Sequence, residues 1–347
     1  MYIKKILLAI SILIAIGMAI FSYFIYETIF SPNTAFSESS KAVYIETGSD
    51  YEEVIVQLRP FLKDLRAFDI VAQKKNYPLS VIPGKFILEN GMNNNEIVNT
   101  LRSKNMPITV IFNNQERLEN LAGRIGEQIE ADSLDLLRAM KDTVFLKEHG
   151  FSLATALSMY IPNQYEFYWN TSAKEFRKRM WQEYNRFWTE SRLQKAEKIG
   201  LSPEEVITLA AIVQKETAKV DERKRVAGVY MNRIESSWPL QADPTVIYAI
   251  KNKRQNFDTI IKRVLYKDLT IESPYNTYLK TGLPPGPITM PDISAIDAVL
   301  NYEKHDFYYF VADVDNFGYH KFSKTLKQHN RNKNEYVAWL KQHKILR

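Results

Sequence analysis

The sequence predicts an α+β protein in three parts: an N-terminal transmembrane helix, a small α+β module, and a larger mixed α+β domain. Three observations carry that prediction. An uncharged, apolar run occupies Ile6 to Tyr26. Short strand-like and helix-like patterns then alternate over 41–113. Beyond them, helical periodicity gives way to Pro- and Gly-framed loops and a closing strand pair. With 347 residues, 45% hydrophobic and 25% charged, the chain has the composition of a folded protein with room for two or three cores.

As a helix, the first run spans about 30 Å, the thickness of a bilayer's hydrocarbon core. Lys4 and Lys5 precede it and Glu27 follows. The positive-inside rule therefore leaves the N-terminus in the cytoplasm and sends the remainder across. A cleaved signal peptide would share that basic start. The run, however, exceeds the usual ~7–15-residue apolar segment of a signal, and no clear A-x-A site follows. A retained anchor over 1–29 is expected, in the plasma (inner) membrane with a single pass. The segment 30–40, with Ser31-Pro32-Asn33 and Ser37-Glu38-Ser39-Ser40, reads as a polar linker.

In the module at 41–113, Ala42 to Glu46 reads as a strand, and Asp50 caps a helix carrying Val54, Ile55, Leu58 and Leu62. Pro83-Gly84 turns into a strand through Leu88. Asn95 opens a helix with Ile97, Val98 and Leu101 on one face, and Ile108 to Phe112 closes the unit as a strand. Residues 114 to about 200 read as helices rich in aromatics (Tyr165, Phe167, Tyr168, Trp169, Trp181, Tyr184, Phe187, Trp188), a density that more often fills a core than stacks on sugar. A long helix is expected near 203–235. Phe307 to Ala312 and Tyr319 to Phe322 form the last strand pair, joined through Asn316 and Gly318.

Several chemistries are excluded or disfavoured. With no cysteine, the chain has no disulfides, thiolate metal sites or cysteine nucleophile. Its five histidines never approach a spacing such as H-E-x-x-H, and no nucleotide-cradling glycine motif is present. No cofactor is expected, and carboxylates, amides, hydroxyls and aromatics must do the work. The net charge is +6, of which +4 remains outside the membrane once Lys4 and Lys5 are set aside. That mild bias suits an anionic wall polymer as well as plain solubility. Nucleic acid is not an expected partner of an outward-facing domain.

One helix carries an acid on its apolar face. Ser202-Pro203-Glu204-Glu205 is a helix start with a capping box. At about 100° per residue, Glu216 falls between Ile212 and Leu209, inside the apolar arc. A carboxylate there is costly unless it is paired or protonated. A raised-pKa glutamate is what a general acid requires at neutral pH; a structural ion pair with Arg223 or Arg233 is the alternative. Downstream, Leu240 to Val246, Ser273 to Tyr278 and Thr281 to Ile288 set polar residues in rigid loops. Such loops can frame a cleft or simply build turns.

Beyond these patterns, Ile212-Val213-Gln214-Lys215-Glu216-Thr217, Glu222-Arg223 and Val226 to Ile234 resemble the endolytic murein (peptidoglycan) transglycosylases, the MltG or YceG-like family. Leu240-Gln241-Ala242-Asp243-Pro244-Thr245-Val246-Ile247-Tyr248, Tyr275-Asn276-Thr277-Tyr278 and Gly282 to Ile288 resemble it too. Tyr309 to Ala312, His320, Phe322, His329 and Asn330 extend the likeness over 114–347. The resemblance implies a LysM-like module at 41–113 and a transglycosylase catalytic domain at 114–347. It further implies an anchored lytic transglycosylase that cuts MurNAc–GlcNAc bonds within nascent glycan strands, leaves 1,6-anhydroMurNAc ends and so terminates elongation. Its partners would be peptidoglycan strands, the membrane and wall-synthesis enzymes. The catalytic glutamate of the family's E-K-E-T segment maps onto Glu216; the first glutamate of that segment is Gln214 here. Where the family has P-D-T-Y, this chain has Pro162-Asn163-Gln164-Tyr165, and no role is carried over to Asn163 or Gln164. Gln241, Asp243, Thr245, Tyr275, Asn276 and Tyr278 are the expected substrate-binding residues. Two rival readings are a muramidase-type hydrolase that adds Asp243 as a second carboxylate and a non-catalytic glycan-binding scaffold.

Overall fold

A computed structural model describes residues 2–343. Its first element is the apolar helix α1 (Tyr2–Phe30), long and apolar enough to cross a membrane and uncovered by protein along its apolar stretch. The rest of the fold is mixed α/β, and the chain divides into two compact units.

The first unit holds residues 1–110 with two short returns, 128–131 and 165–172. Strands β1 (Ser40–Ile45) and β2 (Gly84–Glu89) pair antiparallel with Val43 opposite Phe86. Helices α2 (Tyr51–Leu58), α3 (Leu65–Lys74) and α4 (Asn94–Ser103) supply the rest of its core, where Val54, Leu58, Phe68, Ile97, Val98 and Leu101 pack with Val43, Ile45, Phe86 and Leu88. Asp50 with Glu53, and Asn93 with Glu96, close reciprocal capping boxes that start α2 and α4. The segment read as a spacer is tied down at Asn33. Its buried amide donates to Asn94 Oδ1 (2.6 Å) and to the Asp64 carbonyl (2.8 Å), and its Oδ1 accepts from the Asp64 N–H at 2.7 Å. Strand β3 (Pro107–Phe112) does not join β1 and β2. It pairs instead with β4 (Asn163–Tyr168), which the sequence did not mark as a strand.

The second unit holds the remaining residues. It begins with five helices: α5 (Leu118–Gly126), α6 (Ser133–Met140), α7 (Thr143–Glu148), α8 (Ala173–Phe187) and α9 (Glu190–Lys198). The aromatics of α8 and its end divide between core and surface, with Trp181 and Phe187 half-buried. Tyr184 and Trp188 are buried, and Tyr184 meets Phe151 edge to face with ring centroids 5.2 Å apart. At the centre lies α10 (Pro203–Glu216), with Val206 through Val213 all buried. Around it pack α11 (Arg223–Glu235), α12 (Asp243–Arg254) and α13 (Ile293–Leu300). The hairpin of β5 (Tyr309–Ala312) and β6 (His320–Ser323) follows, backed by α14 (Leu326–Gln342).

The single long helix expected over 203–235 is two. Thr217 leaves the helix in an extended conformation, and its hydroxyl accepts from the Lys219 N–H at 3.1 Å, so the chain turns before α11 begins. The break leaves Glu216 as the last helical residue. Gly286 has a comparable local effect. A Cβ there would lie 1.9 Å from the Ala154 carbonyl oxygen, so only glycine lets the Pro-rich loop approach that backbone.

Candidate active site

The site is built on the helix break. Tyr230, on α11, donates its hydroxyl to Glu216 Oε1 at 2.7 Å. Among the described residues Glu216 forms no ion pair. Arg223 bonds the Ser294 hydroxyl at 2.7 Å and approaches Asp292 at 3.5 Å. Arg233 gives its guanidinium to the carbonyls of Tyr308, at 2.6 and 2.9 Å, and of Leu240. The structural ion pair considered for Glu216 is therefore absent. The buried Arg233 instead pins β5 to the loop entering α12.

The whole of residue Glu216 is half-buried, yet its carboxyl is enclosed enough that burial dominates its titration and pushes it up to about 7. The negative charge of Asp243 adds to the rise, while the Tyr230 hydrogen bond and the charges of His320 and Arg233 oppose it. Burial, then the charge of Glu216, holds Tyr230 far above the ordinary phenol range, so it remains a donor. Near neutrality, then, Glu216 exchanges a proton readily in either direction, as an acid that must later act as a base requires.

Glu216 opens on a cavity of about 370 Å³. Gln241, Asp243 and Tyr278 line it together with Tyr309, Phe310, His329, Asn330 and Lys333. The Tyr278 hydroxyl donates to Asp243 Oδ1 at 2.6 Å, which fixes the carboxylate at the first residue of α12. Gln241 adopts a left-handed conformation (φ 50°) and hydrogen-bonds through its N–H to the Thr277 carbonyl at 3.0 Å. His329 stacks on Tyr309 at 5.2 Å, and burial, then the neighbouring cations Lys333 and Arg233, lowers its affinity for a proton.

Of the six expected substrate-binding residues, Gln241, Asp243 and Tyr278 line this cavity with Glu216. Thr245 and Asn276 lie fully buried beneath it. The Thr245 hydroxyl bonds the Ala242 carbonyl (2.7 Å) and Thr277 Oγ1 (2.8 Å), while the Asn276 amide donates to the carbonyls of Leu269 (2.9 Å) and Ile271 (2.8 Å). They hold the loops together. Tyr275 turns to a different cavity, against Tyr248. Tyr230 lies within the motif stretch Val226 to Ile234, and nothing in the sequence pattern gives it a role. Its position fourteen residues after Glu216 becomes informative only once the helix is broken between them.

The model of the YceG-like family matches residues 43–335. The chain belongs to the YceG-like family. It is 28% identical over 335 residues to a Bacillus subtilis protein named endolytic murein transglycosylase, covering 91% of this chain and 90% of that one. A Streptococcus pneumoniae protein of the same name is 38% identical over 138 residues, 40% of this chain but 24% of that longer protein. The crystal structure of a YceG-like protein from Listeria monocytogenes superposes with a TM-score of 0.56 at 28% identity, covering 85% of this chain and 99% of the other.

Proposed function

We propose that this YceG-like chain is an endolytic murein transglycosylase, a lytic lyase acting on peptidoglycan strands, with Glu216 as its acid and base. The observation that carries the reading is a carboxyl on an apolar helix face, held near pH 7 at the wall of a polar cavity without a cationic partner. Protonated Glu216 gives its proton to the glycosidic oxygen as the C1–O bond breaks. The resulting carboxylate then takes the proton of the muramoyl C6 hydroxyl, whose oxygen bonds to C1 of the same sugar. A 1,6-anhydro end forms, no water is consumed, and Glu216 finishes protonated as it began. Tyr230 steadies the carboxylate between the two steps. Gln241 and Tyr278 are placed to meet sugar amides and hydroxyls, and Asp243 favours the oxocarbenium-like centre through its charge.

In this reading α1 anchors the chain in the plasma membrane, the N-terminus is cytoplasmic, and 41–347 face outward. Residues 41–113 act as a LysM-like glycan-holding module ahead of the catalytic domain at 114–347, and cleavage within nascent strands ends their elongation. Protease added to intact spheroplasts should degrade the large domain, and full protection would reverse the orientation. The reaction itself is tested by digesting purified glycan strands and weighing the new ends by mass spectrometry. Anhydro-muramoyl ends are expected; reducing ends would favour the two-carboxylate hydrolase, and uncut strands the scaffold.

A further inference from the structure

A second cavity, of about 280 Å³, opens farther along α12. Its aromatic part consists of Tyr248, Tyr275 and Phe257. The Tyr248 ring centroid lies 4.6 Å from that of Tyr275 and 5.5 Å from that of Phe257. The Arg117 guanidinium covers the Phe257 ring at 4.4 Å from its centroid. Asn252 also lines it, and its half-buried side-chain amide has no partner among the described residues. Both carboxylates around it are paired with cations. Lys141 bonds Glu119 at 2.5 Å, with Arg117 at 3.9 Å from the same carboxylate, and Glu116 is held by Lys215 at 2.8 Å and Lys251 at 2.9 Å.

Two sequence segments connect this cavity with the one at Glu216. Helix α12 offers Asp243 to the first and Tyr248 and Asn252 to the second; the Tyr275-Asn276-Thr277-Tyr278 loop offers Tyr278 to the first and Tyr275 to the second. A smaller cavity of about 160 Å³ shares Glu116 and Tyr248 with the aromatic one and is also lined by Lys215 and Pro244, the sequence neighbours of Glu216 and Asp243. At 1.5 Å and about 100° per residue, Tyr248 and Asn252 stand about 7 to 14 Å farther along the axis than Asp243 and about 140 to 180° round it. A strand that joins the two cavities therefore passes round the start of α12 and spans several sugars.

The geometry points to this aromatic cavity as a distal subsite that holds an N-acetylated hexosamine of the same glycan strand. The C–H faces of a pyranose pack on tyrosine and phenylalanine rings, and the free Asn252 amide can meet a hydroxyl or acetamide group. Both carboxylates are paired and cations outnumber them, which accommodates the lactyl carboxylate of a peptide-free N-acetylmuramic acid as well as a neutral N-acetylglucosamine. The inference rests on the transglycosylase reading, and it supplies a reason for an internal cut: a strand must continue past the bond to fill the subsite.

The test uses the full chain in detergent with Glu216→Gln, so that ligand is bound and not consumed. Calorimetry compares peptide-free GlcNAc–MurNAc oligomers of two and six sugars. The hexasaccharide should bind more tightly, and adding Asn252→Ala or Phe257→Ala should weaken it by up to about tenfold while sparing the disaccharide. Asn252→Ala removes only an unpartnered amide, so its melting temperature should match its parent's even if Phe257→Ala fails to fold. Hexasaccharide affinity unchanged by Asn252→Ala, or an equal loss for both lengths, overturns the subsite. The two readings fail separately. If Glu216→Gln shows the length dependence but the native chain releases no anhydro ends, the reaction is wrong and the subsite stands. If the native chain cuts but Asn252→Ala binds like its parent, the subsite is wrong and the reaction stands.

Discussion

The two sides of the helix break hold glutamates six residues apart with opposite chemistry. Glu222, at the start of α11, is buried, and burial alone would raise it. The His320 ring nitrogen at 2.8 Å and the His320 N–H at 2.7 Å overcome that and hold it below the ordinary carboxylate range. Glu216, at the end of α10, is also desolvated, but a single tyrosine hydroxyl is its hydrogen-bond donor and burial wins. Glu216 has the more fully desolvated carboxyl and the fewer donors, and both differences push the two acids apart. A carboxylate given two hydrogen bonds and a basic partner serves structure, and one given a single neutral donor keeps its proton for chemistry.

The sharpest break in this comparison is to exchange each acid for its amide. Glu216→Gln should lower cleavage by about 10²- to 10⁴-fold, because one group serves both proton transfers. Its effect on stability has the opposite sign. The folded carboxyl titrates near 7 against 4.5 unperturbed, so the folded state binds the extra proton and native stability falls as pH rises between those values. The amide removes that loss, which amounts at most to about 3 kcal/mol and to less for a side chain that keeps some exposure. Melting at pH 5 and pH 8 should therefore show the variant gaining on the native protein at pH 8. A folded Glu216→Gln protein with undiminished cleavage would remove the assignment.

Glu222→Gln should do the reverse. It should destabilise by about 1–3 kcal/mol through the lost charge-assisted bonds and leave product chemistry intact. Because the folded pKa of Glu222 is lowered, its contribution is present above the unperturbed 4.5 and fades as pH falls below it. The gap between variant and native melting temperatures should accordingly close in acid. A gap that widened there would contradict the pairing with His320.

Much of this contrast was legible in the sequence, and the missing part has a physical cause. The apolar arc of α10 and its Ser202–Glu205 cap are local signals, so the helix and its anomalous acid were readable. The break after Glu216 was not, because 203–235 contains no proline or glycine between Thr217 and Arg223 to announce it. Thr217 turns extended with its hydroxyl accepting from the Lys219 N–H, and the break brings Tyr230 to Glu216. Long-range bonds also decide Arg233, whose guanidinium reaches Leu240 and Tyr308 rather than a carboxylate. In the polar loops, residue type identified the cleft region but not side-chain direction. Tyr278 and Asn276 stand two residues apart, yet one lines the cavity and the other is sealed beneath it. Helix α3, with few signals beyond its Asp64 cap, went unread, and the partner of β3 lay about 55 residues away, where pattern alone has little reach.

Tyr230→Phe sharpens the comparison by taking away the one donor. A hydrogen bond to the charged form lowers a carboxyl pKa, so its loss should raise Glu216 further above 7. The alkaline limb of the rate profile should move to higher pH, with a loss in maximum rate of about tenfold, equivalent to a hydrogen bond of about 1.4 kcal/mol. A rate profile that kept its alkaline limb in place would show that Tyr230 does not touch the working form of the acid.

The smallest effect is expected at Asp243, and it decides between the two reaction types. Asp243 shares the cavity with Glu216 and raises its pKa, while its own Oδ1 is held by the Tyr278 hydroxyl at 2.6 Å. A carboxylate engaged in that way is placed to act by charge. The transfer to the C6 hydroxyl needs no second base, whereas a hydrolase needs one to activate water or to form a covalent intermediate. Asp243→Asn keeps the shape and the Tyr278 contact but deletes the charge. Glu216 should then titrate lower and cleavage should slow, yet the ends released should still be anhydro-muramoyl. Mass spectrometry of those ends beside a rate–pH profile separates the outcomes. Anhydro ends with an alkaline limb shifted to lower pH would match a charge acting on Glu216. Loss of all product, with Glu216 intact and the protein folded, would instead make Asp243 the second catalytic carboxylate.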